Sequence, residues 1–369
     1  MKQGWEYKKI GNICNITTGK LDANAANEDG LYPFFTCSRI PLSINTYAYD
    51  CECILIAGNG DLNVKYYNGK FNAYQRTYIL KLKNDVNGVE MRYIFAFFNL
   101  YIEELRRKSI GGIIKYIKLG DLTNALLPLP DITTQLTIVS ELDKINELIR
   151  LKQEQLKDYD NLAQSIFYEM FGDPVENEKG WEVKKIGEIG SVERGAGISK
   201  KDFVEDGLPC IHYGQLHTIL GARTKKHYTS IPHDLLPKYK VAHTGDLVMA
   251  ITSEDVEGSC KSTAWLGNYD VIVGSDAAIL HHEQDGTFLS YYTMTKAFYN
   301  EKAKYAKGFK VTHISTKEIE KISVFLPPLP LQHLFAQRIE QIERQKSAVQ
   351  KSITDLETLL ASRMQYWFE

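Results

Sequence analysis

The sequence lacks several features that would place it in large classes of proteins. No stretch approaches 18 consecutive apolar residues, and the opening residues, MKQGWEYKK, have no apolar segment of the kind that a signal peptide carries. The six cysteines show no paired CxxC spacing, so we interpret them as buried apolar residues and not as zinc ligands. These features predict a globular cytoplasmic protein with no membrane partner and no structural metal.

The chain also has no excess of basic residues. Its 44 lysines and arginines face 46 aspartates and glutamates, for a net charge of −2. A protein that coats nucleic acid indiscriminately needs a large basic excess to neutralise phosphates. Any surface that binds DNA must therefore be local.

A catalytic centre is missing as well. There is no GxxxxGK[ST] nucleotide loop, and GNGD at 58–61 has too few glycines for a dinucleotide turn. All nine histidines lie between His212 and His333, so no histidine-based site can be common to both halves of the chain. His281-His282-Glu283 is the nearest approach to a ligand set, but adjacent side chains of a strand point to opposite faces, which favours a solvated loop. We predict no catalytic residues.

What the sequence does contain is an internal repeat. Residues 4–13, GWEYKKIGNI, match residues 180–189, GWEVKKIGEI, at eight of ten positions and an offset of 176. Later in each half the offset becomes 197, where Gly111 pairs with Gly308. The repeat predicts two domains built on one plan, the second enlarged by 197 − 176 = 21 residues in its front portion.

Each half ends in a long helical pattern. Apolar residues recur at alternating spacings of four and three for about four and a half heptads, which is typical of a coiled coil. The predicted seam residues are Ile138, Leu142, Ile145, Ile149, Lys152 and Leu156 in the first helix, and Ile339, Ile342, Lys346, Val349, Ile353 and Leu356 in the second. We predict that the helices pair antiparallel, as a pseudo-twofold axis requires; the alternative is that each folds back onto its own domain. The two lysines interrupt the seam, and such polar positions can fix register at a cost in stability.

Boundary signals delimit these helices. Thr133 or Thr134 can cap the first, Gly172-Asp-Pro ends it, and Pro330 suits the opening turn of the second. The first helix would be a rod of roughly 57 Å at a rise of ~1.5 Å per residue.

The front portions mix strand-like and helix-like runs. CECILIA, QRTYILKL, VIVGSDAAIL and ISVFLPPLP have strand composition, whereas 88–109 and 287–305 each read as one helix. We predict an α+β fold, with two pseudo-symmetric α/β domains separated by two long antiparallel helices that form a coiled coil. The predicted segments are domains at 1–131 and 173–328, and long helices at 132–172 and 329–369.

Basic and aromatic side chains alternate in both front portions. The stretch 209–245 has one acid, Asp234, among many basic and aromatic residues. The Gly-rich links 109–116 and 306–313 lie at equivalent places in the two halves, and each carries lysine just before the last strand of its domain. Lysine and arginine hold phosphates, while arginine, glutamine and tyrosine can reach base edges; the alternative is a set of lysine-rich solvated loops. The predicted DNA-binding residues are Lys20, Arg39, Lys65, Lys70, Gln75, Arg76 and Lys115 in the first half, and Tyr213, Arg223, Lys225, Lys226, Lys261, Lys307 and Lys310 in the second.

Together these features resemble the specificity subunits of type I restriction-modification systems. The resemblance spans almost the full length and rests on WExKKIGxI at the start of each half, TTGKLDANA (17–25), YPFFTCS (32–38), GKFNAYQRTYIL (69–80), GLPCIHYGQLHT (207–218), and the segments LPLPDITTQ and LPPLPLQ that open the long helices. It implies that each front portion is a target recognition domain that reads one half of an asymmetric, bipartite site in double-stranded DNA. It also implies that the paired helices set the spacer and dock modification subunits, two in number.

The resemblance further implies a division of labour. The chain would be a non-catalytic subunit without a cofactor of its own. AdoMet, ATP and Mg²⁺ would belong to the modification (methyltransferase) subunits and to the restriction subunits that translocate and cleave DNA. Two alternatives stay open: a specificity subunit of another type of restriction enzyme, or a two-headed coiled-coil interaction protein that does not bind DNA.

Overall fold

The computed structural model describes residues 4–198, 200–233, 239–308 and 311–369. The chain divides into two compact units. Unit 1 contains Met1–Glu154 and Val349–Glu369, and unit 2 contains Gln155–Ala348. Each unit therefore includes one end of each of the two long helices.

Unit 1 is a mixed α/β body. Its strands are β1 (Glu6–Lys9), β2 (Cys14–Thr18), β3 (Tyr32–Phe35), β4 (Leu42–Ile44), β5 (Tyr49–Ala57), β6 (Val64–Ala73), β7 (Thr77–Leu82) and β8 (Leu126–Leu129). Its helices are α1 (Ile10–Ile13), α2 (Met91–Lys108), α3 (Leu119–Thr123) and the first part of α4 (Ile132–Phe171), with a short 3-10 helix at Ala23–Ala25.

Six of these strands form one sheet in the order β2-β7-β5-β6-β3-β4, and β1 pairs with β8 in a separate ribbon. Only the β3–β6 pairing within the sheet is parallel. Helix α2 buries Ile94, Phe98 and Leu105 in the core, and its last turn carries three basic residues, which suits the negative end of a helix dipole.

Unit 2 follows a similar order with more elements. Its strands are β9 (Glu182–Lys185), β10 (Gly190–Arg194), β11 (Leu208–Ile211), β12 (Arg223–Thr224), β13 (Thr229–Ile231), β14 (Lys240–Ala242), β15 (Leu247–Ala250), β16 (Thr252–Ser253), β17 (Ser262–Trp265), β18 (Val271–Val273), β19 (Ala277–His282), β20 (Thr312–His313) and β21 (Ser323–Leu326). Its helices are α5 (Ile186–Ile189), α6 (Tyr213–Thr218), α7 (Gly286–Tyr292), α8 (Lys296–Ala303), α9 (Thr316–Ile319) and the first part of α10 (Leu329–Phe368), with a 3-10 helix at Lys200–Asp202.

The repeat is visible in how the strands pair. The ribbon β9–β21 repeats β1–β8, and the antiparallel pair β10–β19 repeats β2–β7. The parallel pair β11–β18 repeats β3–β6, but the long strand β6 corresponds to two strands, β17 and β18, which lie in different sheets. The α+β fold class predicted from the sequence, with two similar units and two long helices, is confirmed.

One predicted helix is wrong in detail. The segment 287–305 forms two helices, α7 and α8, with a break at 293–295. The hydroxyl of Thr295 donates to the Tyr292 carbonyl at 2.7 Å and accepts from the Phe298 amide at 3.3 Å, so this side chain ends one helix and caps the next. The predicted helix at 88–109 is confirmed as α2.

The ends of the long helices differ from expectation at one point. Asp131, and neither Thr133 nor Thr134, caps α4: its carboxylate accepts from the Thr134 amide at 3.0 Å. Phe171 is the last residue of α4, and Gly172 follows with φ +79, the left-handed conformation that glycine tolerates. Pro330 is the second residue of α10, as predicted.

The two helices contact each other in an antiparallel sense. In unit 2, Asp160 of α4 lies 2.6 Å from Lys346 of α10, and Glu169, further along α4, lies 4.0 Å from Arg338, further back along α10. Among the predicted seam residues, Ile138, Leu142, Ile145, Ile339, Ile342, Val349 and Ile353 are buried, and Ile149, Lys152, Leu156, Lys346 and Leu356 are half-buried.

Lys346 is held in its half-buried position by acidic neighbours. Its Nζ lies 2.6 Å from Asp160 Oδ1 and 3.4 Å from Glu343 Oε1. Burial alone would lower the pKa of Lys346, but the two carboxylates raise it above its usual value, so the amine stays charged. In the described parts of the chain, no helix is long and apolar enough to cross a membrane.

Candidate nucleic-acid interface

Three loops of unit 1 meet where β5 ends. The Gly58 amide donates to the Arg76 carbonyl at 2.8 Å, and the Gly60 amide donates to the Lys115 carbonyl at 3.0 Å. A Cβ on Gly58 would lie 2.4 Å from the Arg76 carbonyl oxygen, so only glycine permits this approach. The loop 58–61 thus joins the β6–β7 turn to the hairpin that carries Lys115.

The segment after β2 joins the same region. The Leu21 amide donates to the Ala73 carbonyl at 3.4 Å, and the Gln75 amide donates to the Leu21 carbonyl at 2.9 Å. Lys20 therefore lies beside Gln75 and Arg76, and all three side chains are exposed.

Arg39 and Lys65 surround an acidic residue of the 58–61 loop. Arg39 donates two hydrogen bonds to Asp61, at 2.7 and 3.2 Å, while its side chain stays 67% exposed. Arg39 lowers the pKa of Asp61, and Lys65 contacts Asn63 close by. An ion pair this exposed contributes little to stability, so a phosphate can replace Asp61 as the partner of Arg39 at little cost.

Six of the seven predicted residues of the first half are thus brought together. We call Lys20, Arg39, Lys65, Gln75, Arg76 and Lys115 the unit 1 basic face. Lys70 lies further along β6, in register with Asp50, and its Nζ is 4.8 Å from the centre of the Tyr47 ring.

Unit 2 has an equivalent arrangement after β15. The Ile314 amide donates to the Ile251 carbonyl at 3.0 Å, as the Ile117 amide does to the Gly58 carbonyl in unit 1. Thr252 pairs with His313, and Lys307 pairs with His313 at the base of a hairpin. The loop after a buried strand again supports a hairpin that carries a lysine.

Thr252 and the hairpin residue Val311 border a cavity of about 1380 Å³, which we call the unit 2 cleft. Tyr213 opens α6, and His217 of the same helix contacts the Thr252 carbonyl at 3.2 Å. Lys261 donates to the His217 carbonyl at 3.3 Å. Tyr213 and Lys261 therefore line one cleft together.

The unit 2 cleft also contains residues that were not predicted to bind DNA. Lys200, His217, Thr252 and Lys302 line it. Lys302 is buried and donates to the carbonyls of Glu257 and Ser259 at 2.7 and 2.6 Å, which holds the loop at the cleft edge; burial lowers its pKa. The apolar runs CILIA (53–57) and DLVMA (246–250) match at an offset of 193, and extending this match by two residues pairs Thr252 with Asn59 of the 58–61 loop.

Arg223 and Lys225 contact the long helix. Lys225 Nζ lies 3.0 Å from Glu340 Oε1, and Arg223 forms an ion pair with Oε2 of the same carboxylate. Lys225 and Arg223 both lower the pKa of Glu340. Because the Arg223 side chain is only 9% exposed, the geometry favours a role in holding β12 against α10 over a phosphate contact. Lys226 is exposed in the next turn, and Lys310 lies outside the described residues.

Lys307 is tied to a capping carboxylate. Its Nζ lies 3.0 Å from Glu318 Oε1, and Glu318 Oε2 accepts from the amide and the hydroxyl of Ser315 at 2.9 Å. The Ser315 amide and Lys307 together lower the pKa of Glu318 to about 2. This carboxylate therefore anchors the base of the unit 2 hairpin.

The lowered pKa predicts an acid-sensitive contribution to stability. With a folded pKa below the unfolded value of 4.5, Glu318 stabilises unit 2 above that pH and loses this effect as the pH falls toward 2. We expect the difference in free energy of unfolding between the wild type and Glu318→Gln to shrink from about pH 6 to about pH 3, measured by urea denaturation. Glu320→Gln is the matched control. A difference that does not change with pH would contradict the prediction.

Comparison with known proteins places the chain in a family. A family model described as type I restriction modification DNA specificity domain matches residues 2–158 and again 178–358. The chain belongs to this family and contains the domain twice. Its role is therefore that of the family, DNA-sequence specificity in type I restriction-modification.

Individual relatives are distant but match over most of their length. The chain is 26% identical to the Type I restriction enzyme EcoDI specificity subunit of Escherichia coli, over 95% of this chain and 84% of the relative. It is 23% identical to the MjaVIII specificity subunit of Methanocaldococcus jannaschii, over 97% and 92%.

Two solved structures share the fold. The S subunit of the type I system from M. genitalium matches with a TM-score of 0.56 at 13% identity, covering 100% of this chain and 98% of that one. A chain solved in a study of complex assembly and conformational transition of the type I system matches with a TM-score of 0.58 at 18% identity, covering 99% and 97%. These likenesses support the fold assignment.

Proposed function

We propose that this chain is a specificity subunit in which unit 1 and unit 2 each read one half of an asymmetric, bipartite DNA site. The observation that carries the proposal is a shared scaffold with different surfaces. Both units keep the ribbon, the loop after the central buried strand and the lysine-bearing hairpin, whereas the side chains around them differ. Two different surfaces on one scaffold favour two different half-sites and hence a non-palindromic sequence.

The same proposal gives the long helices two tasks, to fix the spacer and to dock modification subunits. Exposed leucines on the helices support docking: Leu148, Leu151, Leu162 and Leu359 are each almost half exposed although they belong to otherwise packed helices. In this proposal the chain is non-catalytic, and AdoMet, ATP and Mg²⁺ are bound by modification and restriction subunits.

The experiment that tests the proposal is a genome-wide map of adenine methylation with and without this gene. We expect one bipartite motif to disappear on deletion and to return on complementation. An unchanged methylome, with expression of the gene and of its methyltransferase partner confirmed by mass spectrometry, would remove the proposal.

A domain exchange sharpens this test. Residues 190–310 run from β10 to the unit 2 hairpin and leave the β9–β21 ribbon in place. Replacing them with the corresponding residues of another family member should change the half-site read by unit 2 and leave the other half-site unchanged, as read by methylome sequencing. The matched control exchanges the equivalent front portion of unit 1, and a change in both halves from either exchange would contradict independent reading.

A further inference from the structure

The unit 1 hairpin ends in two exposed isoleucines. Its base is closed by reciprocal hydrogen bonds between Ile110 and Tyr116, at 3.0 and 2.8 Å. Ile113 at the tip is 104% exposed, and Ile114 is 62% exposed. Each isoleucine left in water forgoes the free energy that its burial would supply, so exposed apolar tips of this kind indicate a binding surface.

The turn is built to project these side chains. Gly111 has φ +122, and a Cβ there would lie 2.5 Å from the Ile114 carbonyl oxygen. Only glycine allows so tight a turn. The hairpin is anchored below its tip by the bond from Gly60 to Lys115 and by the bond from Ile117 to Gly58. The isoleucines therefore stand on a fixed base.

Unit 2 repeats the glycine turn and one of the two apolar positions: Val311 corresponds to Ile114, and Lys310, which lies outside the described residues, corresponds to Ile113. Its hairpin is closed by Lys307 and His313, at 3.1 and 2.8 Å, and Gly308 has φ +134 with the Val311 carbonyl oxygen 1.9 Å from a would-be Cβ. Val311 is 55% exposed and lines the unit 2 cleft. The glycine turn and the apolar residue at the position of Ile114 and Val311 are kept in two units whose other surfaces differ, which favours a purpose that does not depend on base sequence.

The charges around the unit 1 tip favour nucleic acid over protein as the occupant. Between residues 103 and 120 the sequence has five lysines and arginines against two glutamates. Lys115 lies on the hairpin itself, and the loop that anchors the hairpin also holds Arg39 through Asp61. Apolar tips with cations beside them match a DNA groove, where bases are bounded by phosphates.

We propose that Ile113 and Ile114 form an apolar wedge that inserts into a groove of duplex DNA and unstacks a base step, while Lys115 contacts the adjacent phosphate. The wedge rests on the proposed function. It adds a sequence-independent contact, because it deforms the duplex next to the half-site and does not read base edges. Val311 is the counterpart in unit 2.

The test uses the full chain assembled with its modification subunits and a duplex that contains the methylated motif mapped for the wild type. Ile113→Ser/Ile114→Ser should weaken duplex binding by about tenfold without changing the salt dependence of the affinity. Lys115→Ala should instead lower the slope of log K against log salt by about one. Leu126→Ser, which alters an exposed leucine of the β1–β8 ribbon, is the matched control and should bind as the wild type does.

A second readout is specific to a wedge. 2-Aminopurine is placed at successive steps of the unit 1 half-site and its flank. Its fluorescence should increase at one step when the wild type binds, because the base is unstacked there, and should not increase at any step with the Ile113→Ser/Ile114→Ser variant. Unchanged affinity of the variant, or no bright step with the wild type, would overturn the wedge. So would failure of the variant to assemble with the modification subunits in the absence of DNA, which would mark the tip as a protein contact. If no methylated motif depended on the wild-type gene, that result would instead count against the proposed function.

Discussion

Replacing Phe171 with alanine should destabilise unit 2 by about 3–5 kcal/mol and leave unit 1 folded. Phe171 is fully buried, and its ring packs edge-on against Phe288 and Phe335, with centroids 4.9 and 5.4 Å apart. Truncation removes these contacts and leaves a cavity that a close-packed core cannot readily fill.

Phe368→Ala is the matched variant and should destabilise unit 1 instead. Phe368 is the last residue of α10, as Phe171 is of α4, and its ring lies 5.1 Å from Tyr93 and 5.9 Å from Phe97. Since Phe368 keeps some exposure, we expect a smaller loss, about 2–4 kcal/mol.

Hydrogen exchange read by mass spectrometry separates the two effects. In Phe171→Ala, amides of β15 and β19 should exchange faster and those of β5 and β7 should keep their protection; Phe368→Ala should give the reverse. If both variants loosened both units equally, the packing of each helix end into a single unit would be refuted.

Much of this architecture could be predicted because it is periodic in the sequence. The match of Gly111 with Gly308 needs only the offset of 197, which also relates Phe171 to Phe368. The 4-3 spacing identifies the buried side of each long helix before any contact is known. Trp5 and Trp181, the tryptophans of the repeated opening, also lie at equivalent positions in the two units. Trp5 stacks on Trp367, and Trp181 donates from Nε1 to the Phe171 carbonyl at 2.8 Å, each at the end of a long helix.

Local competition between side chain and backbone could not be predicted in the same way. The run 287–305 has a helical composition throughout, yet the Thr295 hydroxyl offers the backbone a second partner and interrupts it. Asp131 lay just outside the predicted helix and acts as its cap. Composition averages over such contacts, so it locates an element more reliably than its ends.

The candidate site was predictable only in part, for a related reason. Basic residues can be counted in a sequence, but their partners depend on the tertiary fold. Arg223 is as basic as Arg76, yet its side chain is buried in an ion pair with Glu340, 117 positions later in the chain. Lys20, Gln75 and Lys115 come together because glycines let their loops cross closely, which a count of charges does not reveal.

Each long helix is joined to one unit by a buried glutamine near its start, α4 to unit 1 by Gln135 and α10 to unit 2 by Gln332. Gln135 Nε2 donates to the carbonyls of Pro130 and Gly88, and its Oε1 accepts from the Glu90 amide, where α2 begins. Gln332 Nε2 donates to the Pro327 carbonyl at 2.8 Å and to Gln284 Oε1 at 2.9 Å, and its Oε1 accepts from the Asp285 amide, where α7 begins. Both side chains are fully buried.

Gln332→Met should therefore destabilise unit 2 by about 3–5 kcal/mol. Methionine fills a similar volume, but it leaves the Asp285 amide and the Pro327 carbonyl without partners, at about 1–3 kcal/mol each, and the bond to Gln284 is also lost. Gln135→Met should do the same to unit 1. Gln341→Met, at an exposed position of α10, is the control and should stay within about 0.5 kcal/mol of the wild type. Urea denaturation gives the free energies, and hydrogen exchange at the first turn of α7 or α2 shows whether the start of that helix is released. Gln332→Met unfolding at the same urea concentration as Gln341→Met would show that the buried bonds contribute nothing net, and that apolar packing alone attaches the helix to the body.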